Sequence, residues 1–332
     1  MGDKCPKPAS VLPQSKSPTM KAVRIHNYGG PEVLKYEAAR RPQPGKGEVL
    51  IRVHATSVNP IDWKVRAGYM KDFIPHSFPL ILGWDVSGVI EEVGAGVSQF
   101  KKGDEVYSLP DHTRDGAYAQ YIVVRESEVA LKPKALHHVR AAAVPLATLT
   151  AWQALFDTAQ LQPGQRVLIQ GAAGGVGHFA VQLAKWKGAY VIGTASAKNH
   201  EMLCELGADE LIDYTTERFE DVARNIDVVL DTIGGDTQER SWQVLKKGGA
   251  LVSLVQSPSE NKAKQHGVRG IRLGTRPNGQ ELAAIAKIID AGTLAPVIDR
   301  ILPLSEARRA HELSQTGHVR GKIVLRVKDQ TS

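Results

Sequence analysis

Cysteine is nearly missing from this sequence: Cys5 and Cys204 are the two in 332 residues. Two thiols cannot build a disulfide framework or an all-cysteine metal cage, so packing must hold the core, and a reducing compartment, the cytoplasm, is the expected setting. Long apolar runs are missing as well. The longest uncharged stretch, residues 167–184, is broken by Gly171-Ala-Ala-Gly-Gly-Val-Gly177 and falls short of the roughly 20 residues that cross a membrane. The net charge of +7 is scattered along the chain, with no basic run interleaved with aromatics and no nucleic-acid reading module. Membrane and nucleic acid are therefore not expected partners, and no internal repeat is visible.

What is present is the balance of a globular chain, 42% hydrophobic and 23% charged, at about twice the length of one domain. Residues 1–19 hold four prolines and three lysines with no apolar periodicity, and read as a flexible tail. From Met20 the chain shows short strands punctuated by turn residues: 21–25, the strong run Glu48 to Ala55, Val86 to Val93 and Glu105 to Tyr107. Near Leu136 the rhythm becomes helical, with one alanine-rich helix expected over 141–156. Strands and helices then alternate: strand 166–170, helix 176–187, strand 190–193, helix 199–206, and strands 209–213, 226–230 and 250–255. That alternation predicts a parallel, doubly wound sheet, making the fold α/β with a β-rich companion domain. A terminal strand at 322–327, after a helix over 305–314, is expected to rejoin the β-rich unit. The expected division is 20–145 with 280–332 for the β-rich domain and 146–279 for the doubly wound one.

The segment Gly171 to Gly177 lies between an expected strand and an expected helix. In that context Gly174, Gly175, Val176 and Gly177 read as a dinucleotide-binding turn, where glycine lets the backbone approach a pyrophosphate and the helix start offers unpaired N–H groups. A purely structural turn is the competing reading. An NAD site wants a carboxylate about 20 residues further on, at the tip of the second strand. Here that tip runs Gly193-Thr-Ala-Ser-Ala-Lys-Asn199, without an acid. Ser196 and Asn199 can hydrogen-bond a 2′-phosphate and Lys198 can offset its charge, so NADPH is the expected cofactor.

Several segments together resemble the medium-chain dehydrogenase/reductase superfamily, in particular its zinc-independent quinone oxidoreductase and enone reductase branch. They are Ser57-Val-Asn-Pro-Ile-Asp-Trp-Lys64, Gly83-Trp-Asp-Val-Ser-Gly88, Leu146-Ala-Thr-Leu-Thr-Ala-Trp152, the glycine turn, Leu206-Gly-Ala-Asp-Glu-Leu-Ile-Asp-Tyr214 and Gly321-Lys-Ile-Val324. The resemblance spans nearly everything from Met20 to Val327 and implies a GroES-like catalytic domain beside a Rossmann domain, with the active site in the cleft between them. Where zinc-dependent alcohol dehydrogenases carry Gly-His-Glu, this chain has Gly83-Trp84-Asp85, and no cysteine stands between Asn59 and Arg66. No metal site is therefore expected.

By resemblance, Asn59, Lys64 and Tyr69 belong to the active-site loop as catalytic candidates. Lys64 would touch the nicotinamide ribose and substrate, and its ammonium could stabilise a developing enolate; Tyr69 is a proton donor, a substrate wall or an aromatic plug. Asp62 is read as holding the loop. Thr150 would lie near the nicotinamide or bond its own helix, Tyr214 would reach the adenosine phosphate, and Lys322 would lie at the cofactor cleft or at a strand edge. Ser253 and Leu254 fall at the carboxyl end of a strand, where ligands of doubly wound sheets collect. Among the histidines, His178 follows the glycine turn and is read as lying on the helix side, and His137-His138 as a solvated helix start. Cys204 is read as packed. The implied reaction is NADPH-dependent, zinc-independent hydride transfer to a quinone or an α,β-unsaturated carbonyl compound, in a homodimer. A non-catalytic NADPH-binding sensor and an enoyl-thioester reductase are the alternatives.

Overall fold

The computed structural model describes residues 18–327. The expected tail and Cys5 lie outside that range, except that Thr19 already opens the first strand, Thr19–Ile25. The β-rich and doubly wound parts form around separate sheets. Strands Arg166–Gln170, Tyr190–Thr194, Glu210–Ile212, Ile226–Asp231, Leu245–Ser253 and Arg269–Arg272 make a six-stranded sheet whose spatial order is third, second, first, fourth, fifth, sixth. All its pairings are parallel. This is the doubly wound order that opens a crevice between the first and fourth strands, at their carboxyl ends. Both of those strands are almost wholly buried, which is why they read as continuous apolar runs.

The second large sheet has seven strands built around Glu48–Val58, which runs three residues further than its sequence pattern indicated. Its far end pairs antiparallel with Lys322–Arg326, from Ile323 opposite Val58 to Arg326 opposite Ala55. The C-terminal strand thus returns to the sheet of the first half. A three-stranded sheet of Lys35–Arg40, Thr19–Ile25 and Leu80–Ile81 completes this part. One apolar core joins the two parts, running from Ile25, Trp84 and Tyr118 through Val144 and Leu149 to Phe179 and Val252. Among the described residues no helix is long and apolar enough to cross a membrane.

Four expectations need correction. The helix expected over 141–156 is three pieces, His138–Ala141, Pro145–Trp152 and a wider turn Gln153–Thr158, because Pro145 has no N–H to continue a helix and instead starts one. The sixth strand, Arg269–Arg272, escaped notice because a four-residue edge with arginine at both ends carries almost no apolar pattern. His138 is not solvated: its ring bonds Ser87 Oγ at 2.8 Å and lies 4.2 Å, centre to centre, from His54. Cys204 is exposed on the short polar helix His200–Glu205.

Candidate active site

The strand Arg166–Gln170 ends at Gly171, whose φ of +71° begins the glycine turn. The N–H of Gly174 closes the turn on Gly171 O at 3.0 Å, and the helix Gly177–Trp186 follows. A Cβ on Gly177 would stand 2.3 Å from Gly171 O and 2.7 Å from Ala172 Cα, so only glycine lets helix and strand pack this closely. At Gly175 the fit is close but without overlap. A Cβ there would meet only Lys322 Cδ at 3.3 Å and Gly321 O at 3.4 Å. N–H groups in the first turn of a helix have no intrahelical partner and suit an anion. His178 lies on the helix side, fully buried, with Nδ1 2.9 Å from Gly174 O; burial pulls its pKa down to about 4 and leaves the ring neutral.

At the tip of the second strand, Asn199 Nδ2 donates to Ser196 Oγ at 3.2 Å, while Lys198 is exposed. The sequence puts no acid on this strand, yet the fold brings one from the next: Asp213 Oδ2 accepts the N–H of Ala197 at 3.1 Å. Its other oxygen accepts from Thr215 N and Thr215 Oγ1 at 2.9 and 2.7 Å. Asp213 thus ties two loops together and leaves neighbouring Tyr214 largely exposed, at 55%. These residues form their own group, beyond the glycine turn.

The second group assembles around Asp85. Its Oδ2 accepts from Ser57 Oγ at 2.5 Å and Asn59 Nδ2 at 2.7 Å and pairs with Lys322 Nζ at 3.4 Å; Oδ1 accepts the N–H of Leu146 at 2.7 Å. Lys322 also donates to Val58 O and to Asn59 Oδ1. Lys322 is 2% exposed and its strand is paired on both sides, so it is not a strand-edge lysine. Asn59 is equally enclosed, and both ends of its amide are engaged. Through Leu146 the same carboxylate ties down the helix Pro145–Trp152. On that helix Thr150 bonds Leu146 O at 2.7 Å and shares a 2.8 Å contact with Thr275 Oγ1.

Asn59 and Asp62 frame the start of the short helix Pro60–Arg66, which carries Lys64. Asp62 Oδ2 accepts the N–H of Asn59 at 2.8 Å and the hydroxyl of Tyr118 at 2.9 Å, while Oδ1 has no hydrogen-bond partner. Burial raises this carboxyl to about 7. Tyr118 in turn meets His311 Nε2 at 3.2 Å, and His311 Nδ1 faces Arg66 NH1 at 3.2 Å. Lys64 is half-buried with its ammonium 5.7 Å from the centre of the Trp63 ring; burial, then nearby Arg272, hold its pKa below the usual lysine value. Tyr69 is 70% exposed and meets Trp63 edge-on, which rules out the role of a buried plug.

At the carboxyl end of the fifth strand, Ser253 is fully buried and donates to Asp231 Oδ2 at 2.8 Å, while Leu254 N donates to Asp231 O at 2.9 Å. Arg272 reaches Ser253 O at 3.4 Å, which brings the Ser253 strand end towards Lys64. Sequence reasoning passed over Asp85 as a hub, Asp231, Tyr118, His311 and Arg66. Only the Gly83-Trp84-Asp85 motif signalled any of them, and there the attention fell on missing metal ligands.

The arrangement offers an anion the helix start at the glycine turn. Among the described residues, no group of three His, Cys, Asp or Glu side chains is placed to hold a metal ion. A family profile described as "Alcohol dehydrogenase GroES-like domain" matches residues 45–134, and one described as "Zinc-binding dehydrogenase" matches residues 206–325. The chain is 38% identical over 360 residues to the mouse (Mus musculus) protein named "NAD(P)H oxidoreductase RTN4IP1, mitochondrial", covering 94% of this chain and 90% of that one. It is 37% identical over 317 residues to "NADPH-dependent alkenal/one oxidoreductase, chloroplastic" of Arabidopsis thaliana, covering 92% of this chain and 79% of that one. The solved quinone oxidoreductase from Coxiella burnetii superposes with a TM-score of 0.86 at 39% identity, covering 94% of this chain and all of that one. The chain is an oxidoreductase that belongs to the medium-chain dehydrogenase/reductase superfamily, in its quinone oxidoreductase-like branch.

Proposed function

We infer that the protein uses NADPH to reduce a quinone or an α,β-unsaturated carbonyl compound by hydride transfer, with no metal in the reaction. The observation that carries this reading is the glycine turn at a helix start beside a buried ammonium, Lys322, that engages the Asp85 carboxylate. The glycine cradle suits a dinucleotide, since Gly174, Gly175 and Gly177 put no side chains of their own between the helix start and an approaching pyrophosphate. Zinc does not suit the donors present. Asp85 is already engaged by Ser57, Asn59, Leu146 and Lys322, and a cationic lysine beside it repels a second cation. Bound NADPH would supply the hydride.

The chain's own residues then bind and orient. N–H groups of Gly175, Val176 and Gly177 would hold the pyrophosphate, with Ser196, Lys198, Asn199 and Tyr214 at the adenosine end and Thr150, Ser253 and Leu254 along the nicotinamide side. Asp213 is held by Ala197 N and by Thr215, which ties its carboxylate to the loops that carry Ser196 and Tyr214. Lys64 is the group whose partly desolvated ammonium can donate to an acceptor's carbonyl oxygen as negative charge grows there. Tyr69, exposed on the same side, forms the outer wall. Asn59 and Lys322 act through Asp85 as positioning residues, which changes the catalytic role first expected of Asn59.

This reading divides the chain at 20–145 with 280–332 and 146–279, the division favoured by the return of Lys322–Arg326 to the first-half sheet. Arg269–Arg272 is an end strand with one edge unpaired among the described residues, and pairing of two such edges would give a homodimer. The scarcity of cysteine fits a reducing compartment such as the cytoplasm.

The experiment is an acceptor panel with metal analysis. The protein should oxidise NADPH with 1,4-naphthoquinone and with small alkenones, leave ethanol with NADP⁺ almost untouched, and carry no stoichiometric zinc. NADPH binding without turnover on any acceptor, a strong preference for acyl-thioester enones, or activity that chelators abolish would each overturn it.

A further inference from the structure

His311 lies on the C-terminal helix Ala307–Gln315, 245 residues beyond Arg66, and is fully buried. Its ring reaches both ends of the short helix Pro60–Arg66 that carries Lys64. At the far end Nδ1 meets Arg66 NH1 at 3.2 Å. Towards the near end Nε2 meets the Tyr118 hydroxyl at 3.2 Å, and that hydroxyl donates to Asp62 Oδ2 at 2.9 Å, where the N–H of Asn59 also donates. Asp62, Tyr118 and Arg66 are buried like His311 itself.

Donors and acceptors run in one direction along this chain. A guanidinium only donates, so Nδ1 must turn its lone pair towards Arg66. The Tyr118 proton goes to the Asp62 carboxyl, so Nε2 carries the ring proton and donates to the phenol oxygen. One neutral tautomer of His311 satisfies both neighbours. Burial, then the Arg66 charge, pull its pKa down to about 3 and keep the ring neutral. The other nitrogens of Arg66 donate to Gly29 O at 3.2 Å and to Gln315 Oε1 at 3.0 Å, the latter on the same C-terminal helix. Among the described residues, the buried guanidinium is thus joined to a carboxyl group only through an imidazole and a phenol. For stability alone that is a costly way to fill a core.

A helix of seven residues does not hold its own place, since isolated helices shorter than ~12–15 residues are marginal in water. Lys64 stands midway along it, with Asp62 two residues before and Arg66 two residues after. We propose that His311 is a positioning residue for Lys64: by bridging Arg66 to Tyr118 and Asp62 from the C-terminal helix, it sets where the Lys64 ammonium stands in the cleft. The proposal rests on the role given to Lys64 above and adds a distant residue that acts through it.

Steady-state oxidation of NADPH with 1,4-naphthoquinone, joined to a double-mutant cycle, tests this. His311→Leu fills the space and loses both hydrogen bonds. Its kcat/KM for the acceptor should fall about 10- to 100-fold, the effect of a displacement of about 1 Å at a reacting group. His311→Gln, whose amide offers both a donor and an acceptor, should recover part of the loss. In a Lys64→Met background, His311→Leu should change the residual kcat/KM by less than about twofold, because the group it positions is gone. Should His311→Leu fail to fold, Tyr118→Phe carries the same cycle, since it removes one hydroxyl and keeps the ring. A lowered unfolding midpoint with kcat/KM unchanged overturns the proposal, and so does an equal fold-loss with and without Lys64. A wild-type protein that reduces no acceptor contradicts the proposed function itself, a separate outcome.

Discussion

Asp85 and Lys322, 237 residues apart in the chain, form an ion pair at 3.4 Å that solvent does not reach. The pair joins the end of strand Glu48–Val58, the start of helix Pro145–Trp152 and the start of strand Lys322–Arg326. Burial alone would push the Lys322 ammonium towards losing its proton, and the carboxylates of Asp85 and Asp62 counter that. Replacing Lys322 by methionine keeps its packing against Gly175 but leaves Asp85 charged and unpaired. A loss of about 3–5 kcal/mol is expected, read from urea unfolding at neutral pH. In the double variant Lys322→Met with Asp85→Asn, much of that loss should return. Independent, additive effects would show that the two groups do not act as a pair.

Glycines of the phosphate turn should separate by function. At Gly177 a methyl group collides with backbone at 2.3 and 2.7 Å, so Gly177→Ala should cost about 1–3 kcal/mol of stability. At Gly175 the nearest atoms, Lys322 Cδ and Gly321 O, stand at 3.3 and 3.4 Å, a tight contact without overlap, so Gly175→Ala should cost clearly less stability than Gly177→Ala. Its methyl group would occupy the anion's approach instead. Cofactor titration is expected to show at least tenfold weaker NADPH binding for Gly175→Ala, with an unfolding midpoint nearer to wild type than that of Gly177→Ala. Undisturbed binding in that variant would mean the pyrophosphate lies elsewhere.

Asp62 sets a pH dependence of stability. Its folded-state pKa of about 7 lies above the ordinary aspartate value, so between about 4 and 7 the folded chain holds a proton that the unfolded chain has released. Stability from this group is full at low pH, falls as pH rises through that window and is flat above it. The fall is up to ~4 kcal/mol by the same linkage. The unpartnered Oδ1 is the natural seat of the proton, since Oδ2 accepts from Asn59 and Tyr118. Asp62→Asn keeps an oxygen acceptor for those donors and removes the titration. Unfolding midpoints at pH 5 and pH 8 should differ clearly less in the variant than in wild type, and equal differences would assign the slope to other groups.

How much was legible in the sequence follows the distance between interacting residues. The glycine turn could be read because strand, turn and helix are contiguous, and the doubly wound sheet because its central strands, Arg166–Gln170 and Ile226–Asp231, are buried on both faces. Arg269–Arg272 had no such pattern to offer. The break before Pro145 was visible in the residue itself, but alanine periodicity overrode it. Asp85 with Lys322 and Asp62 with Tyr118 and His311 join residues 56 to 237 positions apart, and nothing local marks a carboxylate as the partner of a distant lysine or tyrosine. Asp213 shows the same limit at short range: the acid missing from the second strand arrives from the third, where pairing register, invisible in a linear reading, puts it beside Ala197. Cys204 was assigned by residue type, while its helix is polar enough to leave it in water.

The most direct measurement follows the hydride itself. NADPH carrying deuterium at the transferable C4 position should be incubated with a small alkenone, and the reduced ketone analysed by mass spectrometry and NMR. Deuterium on the β-carbon, with the α-hydrogen drawn from solvent and no dependence on added or chelated metal, is the expected result. Deuterium absent from the product, or found on the carbinol carbon of an allylic alcohol, would contradict the account.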